Sequence, residues 1–211
     1  MFSLFKKSNT LPYADKVWKT RTALLRGITS EALNAIKQSE TVFLISWFED
    51  RRQSLIDFMT IHKIPFESWD GTSGIGSSPA IYMLNSDVLN SASACARLSE
   101  KLVKGKVALL FDGHYPLLQK ESVVLEKLTT MNSPNITISF CQSLDGALLK
   151  QFGAERIAPL LEQMGLKDDE FIEHAMIAIA ITQARKKLAK QITNEMTATK
   201  EEEWFSKNVK Q

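Results

Sequence analysis

The stretch Ser143–Gly165, "SLDGALLKQFGAERIAPLLEQMG", decides how the rest of the chain is read. It opens as a turn, becomes a helix, pauses at Gly153 and becomes a helix again. Just before it stands "NITISFC", an apolar and β-branched run that suits a strand covered on both faces, as in a parallel sheet. Similar runs precede it: "TVFLISW" (Thr41–Trp47), the short "IPFESW", "AIYML" (Ala80–Leu84) and "KVALLF" (Lys106–Phe111). Between them lie helical patterns. "ADKVWKTRTALLRGITSEALNAIKQ" carries an apolar face of Leu24, Leu25, Ile28, Leu33 and Ile36. Asp50 and Gln53 form a capping-box signature ahead of "RRQSLIDFMTIHK". "SASACARLSEKLVKG" and "QKESVVLEKLTT" supply two more helices. Strand and helix alternate about five times, which predicts an open parallel sheet of about five strands with helices on both faces.

The bulk numbers agree. Hydrophobic residues make up 44% and charged residues 24% of the 211, which are globular values. The net charge of +2 gives no argument for a nucleic-acid partner. Two isolated cysteines, Cys95 and Cys141, suit a reducing cytoplasm rather than a disulfide framework. No run approaches the ~18 apolar residues of a membrane span. "MFSLFKK" is charged too early for a secretory signal, and residues 1–14 read as an irregular arm. Residues 15–165 read as the α/β domain. Residues 166–211 read as a helical extension, in which Ile177, Ile181, Ala184, Leu188 and Ile192 line one face. Thr199 and Glu202 form another capping-box signature, so the helix restarts before Trp204 and Phe205. The cluster Arg185, Lys186, Lys187 and Lys190 reads as a solvated helix face.

The last strand, the Ser-Leu-acidic turn and the helices that follow resemble the end of the second RecA-like motor domain of the SecA preprotein-translocase ATPases. The residues that carry the resemblance are Ser143, Leu144, Asp145, Leu148, Leu149, Phe152, Gly153, Glu155, Arg156, Ile157, Gly165, Ile172, Glu173, Met176, Ala178, Ile179 and Ala184. More loosely, "DKVWKTRTALLRGI" is similar to the family's lead-in to that domain, and "TVFLISWFEDRRQSLIDFMTIHKIPFESW" to its first strand, helix and second strand. The resemblance implies a single RecA-like domain followed by the start of the family's long scaffold helix. It touches only one of the family's two motor domains.

The motor chemistry does not come with it. No GxxxxGK[ST] is present. "GTSGIGSS", Gly71–Ser78, comes closest, but Ser77 stands where the lysine would reach the phosphates, and Pro79 and a strand follow where a helix is needed. The family's Gly-Arg-Gly-Thr-Asp stretch is here "YMLNSDVLNSASA". Its arginine-rich helix-loop is here "LQKESVVLEKLTTMNSP". No arginine lies between Arg97 and Arg156, and lysine does not reproduce a planar guanidinium fork. Asp112 in "VALLFDGH" imitates a Walker B carboxylate but has no P-loop to work with.

No catalytic residue, metal site or cofactor is expected. Three histidines and two cysteines show no ligand spacing. A Cys141–His114–Asp112 hydrolase lacks a nucleophile-elbow pattern. The expectation is a non-catalytic SecA-like protein with an interaction or regulatory role in cytoplasmic protein export. Its partner would be a full-length translocase or a second copy, and its contact residues Ile181, Leu188, Ile192, Trp204 and Phe205. The alternative is a nucleotide- or small-molecule-binding protein, or an unfamiliar enzyme, that uses the strand ends near Asn85, Asp87, Asp112 and His114.

Overall fold

A computed structural model describes residues 11–154, 167 and 170–209. The sheet has six strands, all parallel, in the order β1-β6-β5-β2-β4-β3. They are β1 (Ala14–Trp18), β2 (Thr41–Ser46), β3 (Glu67–Ser68), β4 (Ile81–Asn85), β5 (Val107–Asp112) and β6 (Ile136–Ser143). The open α/β class read from the sequence is the class observed, with one strand more than expected.

The additional strand is β1, which the sequence reading merged into the first helix. Its inward positions hold Asp15 and Val17, so no clean apolar alternation marks it. Asp15 is buried because it pairs with His114, not because it is apolar. The outer edge of β1 is capped by a two-bond antiparallel bridge between Val17 and Ile172. The opposite edge is blunted by β3, which is two residues long. Short or covered edges limit pairing with other chains.

β2 and β5 are buried at every position, which explains their continuous apolar runs. One face of the sheet packs on α1 (Arg21–Lys37) and α2 (Glu49–Ile61) through Leu24, Ile28, Leu55 and Met59. The other packs on α3 (Ala92–Lys104) and α4 (Leu118–Thr130) through Leu98, Leu102, Val124 and Leu128. Thr20 caps α1 and Ser91 caps α3, each accepting a backbone N–H three residues on. α2 starts without a side-chain cap. Asp50 bonds the N–H groups of Arg51 and Glu201, and Gln53 reaches Asp57, so the capping box expected there does not form.

After β6 come the short α5 (Ala147–Lys150), then α6 (Ala175–Gln191) and α7 (Glu201–Asn208). Leu188 of α6 and Trp204 and Phe205 of α7 belong to the same core cluster as Phe43, Phe111 and Phe140 of the sheet. Ile181 joins Val17, Leu144 and Leu149 in a smaller cluster beside β1. α7 restarts the helix where expected, but Lys200 stands at its N-cap with no side-chain bond, so the Thr199–Glu202 box is absent. Phe2, Leu4, Phe5, Lys6 and Lys7 of the N-terminal arm, and Glu155, Arg156, Ile157 and Gly165, lie outside the described residues.

Candidate functional site

Open α/β sheets present ligands to the carboxyl ends of their strands. Here that edge is made by Ser46, Asn85, Asp112 and Ser143, the last residues of β2, β4, β5 and β6. Asp112 is its electrostatic centre. Its side chain is fully buried and meets two guanidinium groups. Arg21, the first residue of α1, grips both carboxylate oxygens, with Nη2 at 2.7 Å from Oδ2 and Nη1 on Oδ1. Arg51, in the first turn of α2, donates from Nη2 to Oδ1 at 3.1 Å. Burial alone would push the Asp112 carboxyl up, but Arg21 and Arg51 together hold it below the usual carboxylate range. The backbone N–H of Arg21 also bonds Asp145, at 3.0 Å, which ties the Ser143–Asp145 turn to α1. Gly113 follows Asp112 with φ of 87°, a conformation glycine adopts freely, and its carbonyl accepts the Trp47 indole N–H at 2.9 Å.

The C-terminal segment lies across this edge. The Thr199 carbonyl accepts the Glu49 N–H at 2.9 Å, the Glu201 N–H reaches Asp50, and the Glu201 carboxylate stands 3.3 Å from Arg51 Nη1. Burial raises the Glu201 carboxyl above its ordinary value, and Arg51 opposes that rise. Aromatic rings hold the segment down. Tyr115 packs between Trp47 at 5.5 Å, Phe48 at 5.6 Å and Trp204 at 5.9 Å. Glu195 accepts both the Trp204 indole N–H, at 2.7 Å, and the Tyr115 hydroxyl. Burial and Glu195 raise the Tyr115 phenol far above its ordinary value, so it stays a donor. What remains among Arg51, Gly113, Gln142, Ser143 and Glu201 is a cavity of about 10 Å³. Such a space holds one water. Gln142 Nε2 and Ser143 Oγ are buried without protein partners on residues that line it, and one water can serve them.

A second buried network lies beside the first. His114 Nε2 is 2.6 Å from Asp15 and Nδ1 is 2.8 Å from Glu121. Arg185 of α6 donates to Glu121 Oε1 at 2.9 Å. The His114 ring stacks on Phe140 with centroids 4.1 Å apart. Burial alone would lower the imidazole pKa, but Glu121 and the bond to Asp15 raise it. Burial would raise Glu121, but His114 and Arg185 lower it. Four charged side chains thus tie β1, the β5–α4 loop, α4 and α6 together. Arg185 is 1% exposed, so it leaves the basic helix face assigned to it in the sequence, while Lys186, Lys187 and Lys190 stay on that face.

The four strand-end candidates are not brought together. Asp112 and His114 belong to the two networks just described. Asn85 bonds Glu49 at 2.7 Å, and Asp87 is exposed with Lys120 at 4.0 Å. The hydrolase arrangement fails as well. Phe140 and His114 pack on one face of the sheet and Cys141 is buried on the other, where burial pushes its thiol up. No cluster of three metal-ligating side chains occurs among the described residues.

The partner-contact candidates need correction. Ile181, Leu188, Trp204 and Phe205 are at most 5% exposed, covered by this chain's own sheet and helices, and Ile192 is half-buried against the same core. An apolar stripe read from sequence does not say which surface covers it, and here the chain covers it itself. Sequence reasoning missed Arg21, Arg51, Glu121 and Glu201. The resemblance implies arginines only between the later strands, whereas Arg21 and Arg51 enter from the first turns of α1 and α2.

No protein-family profile matches the chain. Curated relatives do. The SecA translocase subunit of Christiangramia forsetii is 47% identical over 49 residues, which is 23% of this chain and 4% of that protein. That of Sulfurimonas denitrificans is 39% identical over 54 residues, 26% of this chain and 6% of that protein. A longer match, to SecA of Desulfotalea psychrophila, is 22% identical over 191 residues and takes in 83% of this chain and 22% of the relative. The chain is thus homologous to SecA over short stretches and spans less than a quarter of these relatives' length. Among solved structures, the C-terminal part of the Fun30 ATPase domain superposes with a TM-score of 0.36 at 11% identity, over 77% of this chain and 53% of that one. No helix among the described residues is long and apolar enough to cross a membrane.

Proposed function

We propose that this chain is a non-catalytic relative of the second SecA motor domain, with an interaction or regulatory role in preprotein translocation. It works in the cytoplasm through a protein partner, the full-length translocase or a second copy of itself. The observation that carries the non-catalytic reading is the closed strand-end edge. Arg21 and Arg51, the cations nearest to where an anionic substrate would sit, are both engaged by Asp112, and Arg51 also by Glu201. About 10 Å³ is left beside Arg51, among Gly113, Ser143 and Glu201. A motor of this type needs open phosphate-binding groups and free guanidinium groups to stabilise the transferring phosphoryl. The same closure speaks against the strand-end ligand site that the sequence left open. Since the stripe on α6 is internal, a partner would meet other surface, and Met176 and Ile179 on that helix are 72% and 61% exposed.

The test has two arms. In the first, purified chain is incubated with ATP and magnesium, and phosphate release is followed; no turnover above a buffer control is expected. In the second, immobilised chain is exposed to purified full-length translocase from the same cell, and saturable binding is expected. Sustained turnover would remove the non-catalytic reading, and failure to bind the translocase, together with a monomeric mass for the chain in solution, would remove the proposed partner.

A further inference from the structure

The opposite edge of the sheet looks quite different. A cavity of about 470 Å³ opens there between the 75–79 loop, the end of α3 and the starts of β2 and β5. Small-molecule sites run from about 300 to 1,000 Å³. Its wall carries four cationic side chains, Arg97, Lys101, Lys104 and Lys106, against one carboxylate, Glu100. Glu100 is 3.3 Å from Arg97 and so is already shared. Lys104 and Lys106 have no ion pair among the described residues.

We propose that this cavity binds a small soluble anion bearing phosphate groups. Lys101 supplies the built part of the site. The residue is 8% exposed, and its ammonium donates to the carbonyls of Gly76 and Ser77 at 2.6 and 3.2 Å. Those bonds fix the loop that forms one wall, and they use two of three ammonium protons. Burial lowers the Lys101 pKa and the charge of Lys104 lowers it further, so a bound anion would relieve the repulsion between these two ammonium groups. The carboxyl end of α3 favours cations, which accounts for Lys101 and Lys104 in its last turn. It does not account for Arg97, which lies further back in the helix, or for Lys106, which lies beyond it. The excess of three cations over carboxylates in the wall suits a ligand with several negative charges, and one phosphate monoester brings about two. Lysine binds phosphate as a point charge without demanding planar geometry. The glycine-rich loop that fails as a P-loop thus finds a place here: Gly76 and Ser77 line the cavity, and Lys101, from a neighbouring helix, supplies the ammonium that their own sequence lacks.

The test is calorimetric titration of the full chain with inorganic pyrophosphate and, separately, with succinate, at low salt and at about 150 mM salt. Saturable pyrophosphate binding is expected, weaker at the higher salt and tighter than that of succinate. Lys104→Glu/Lys106→Glu should weaken it about tenfold or more. Lys186→Glu/Lys187→Glu, the same charge change on exposed α6 positions, should leave it unaltered. Absence of saturable binding to the unaltered chain overturns the site. So does equal weakening in both double variants, which would mean attraction to net charge alone. Succinate binding as tightly as pyrophosphate overturns the phosphate assignment.

Discussion

The Glu201 carboxylate lies 3.3 Å from the Arg51 guanidinium and joins the last helix of the chain to the second. Beside this contact Trp204 is fully buried and Phe205 nearly so. The C-terminal helix is therefore part of the core, and its removal should be felt throughout the fold. Trp204→Ala should cost about 3–5 kcal/mol, the usual cost of deleting a buried large aromatic. Glu201→Gln should cost less, about 1 kcal/mol, because Arg51 keeps Asp112. Urea denaturation of both variants measures the two values. A cost below that of Glu201→Gln for the tryptophan variant would show that the helix is not docked as described.

Asp112 holds two arginines that would otherwise face each other. Asp112→Ala should destabilise the chain by about 3–5 kcal/mol, because it leaves partly buried positive charge unpaired. Arg21→Met in the same background should recover part of that loss, since one of the unpaired charges goes. A double-mutant cycle read by chemical denaturation tests the coupling. Additive effects of the two changes would contradict the bidentate pair.

Stability should depend on pH in a direction set by the buried networks. The folded values of Asp112 and Glu121 lie below their ordinary 3.8 and 4.5. Their contributions are present above those ordinary values and are lost as pH falls through the folded ones. His114 is raised above its ordinary 6.5, so its contribution is complete below that value and is lost as pH rises through the folded one. The His114–Glu121 attraction appears in both shifts and counts once. Melting temperatures across pH 5 to about 9 should show the native chain losing its advantage over His114→Asn on the alkaline side. A constant difference between the two proteins across that range would mean that His114 does not titrate in the network.

How much of this could be read in the sequence depends on what each residue signals locally. The runs "TVFLISW", "KVALLF" and "NITISFC" are plain because central parallel strands are covered on both faces and are mostly apolar. The helical pattern "SASACARLSEKLVKG" is α3, which Ser91 caps at its start. β1 was hidden because its inward Asp15 is satisfied by His114, a residue far away in sequence. The site was the least legible part. Nothing near Arg21, Arg51 or Arg185 indicates that a guanidinium will turn inward, since what draws each one in is a carboxylate on another element: Asp112 for the first two, Glu121 for the third. The periodicity of Ile177, Ile181, Ala184, Leu188 and Ile192 reports an apolar face and not what lies against it, which here is the chain's own core.

The turn that first suggested the fold depends on a close contact elsewhere. The N–H of Leu144 bonds the Trp18 carbonyl at 2.9 Å, and the Trp18 ring lies directly over Gly27 of α1. A methyl group at position 27 would come within 2.3 Å of the indole Cε2 and Nε1, closer than atoms can stand. Trp18 is 1% exposed and packs against Phe171 at 5.2 Å, so the ring has no open space to swing into. Two effects compete in Gly27→Ala. Helix propensity favours alanine by about 1 kcal/mol. Overpacking of a buried site costs about 1–3 kcal/mol, and a rigid indole so close puts this case at the upper end. The clash should win, with a net loss of about 1–2 kcal/mol. Ser30→Ala, at an exposed position of the same helix, feels only the propensity and should gain a few tenths. Denaturation of the two variants side by side separates the terms. If Gly27→Ala were as stabilising as Ser30→Ala, the indole could not lie where it is described, and the anchoring of the Ser143–Asp145 turn through Trp18 would have to be abandoned.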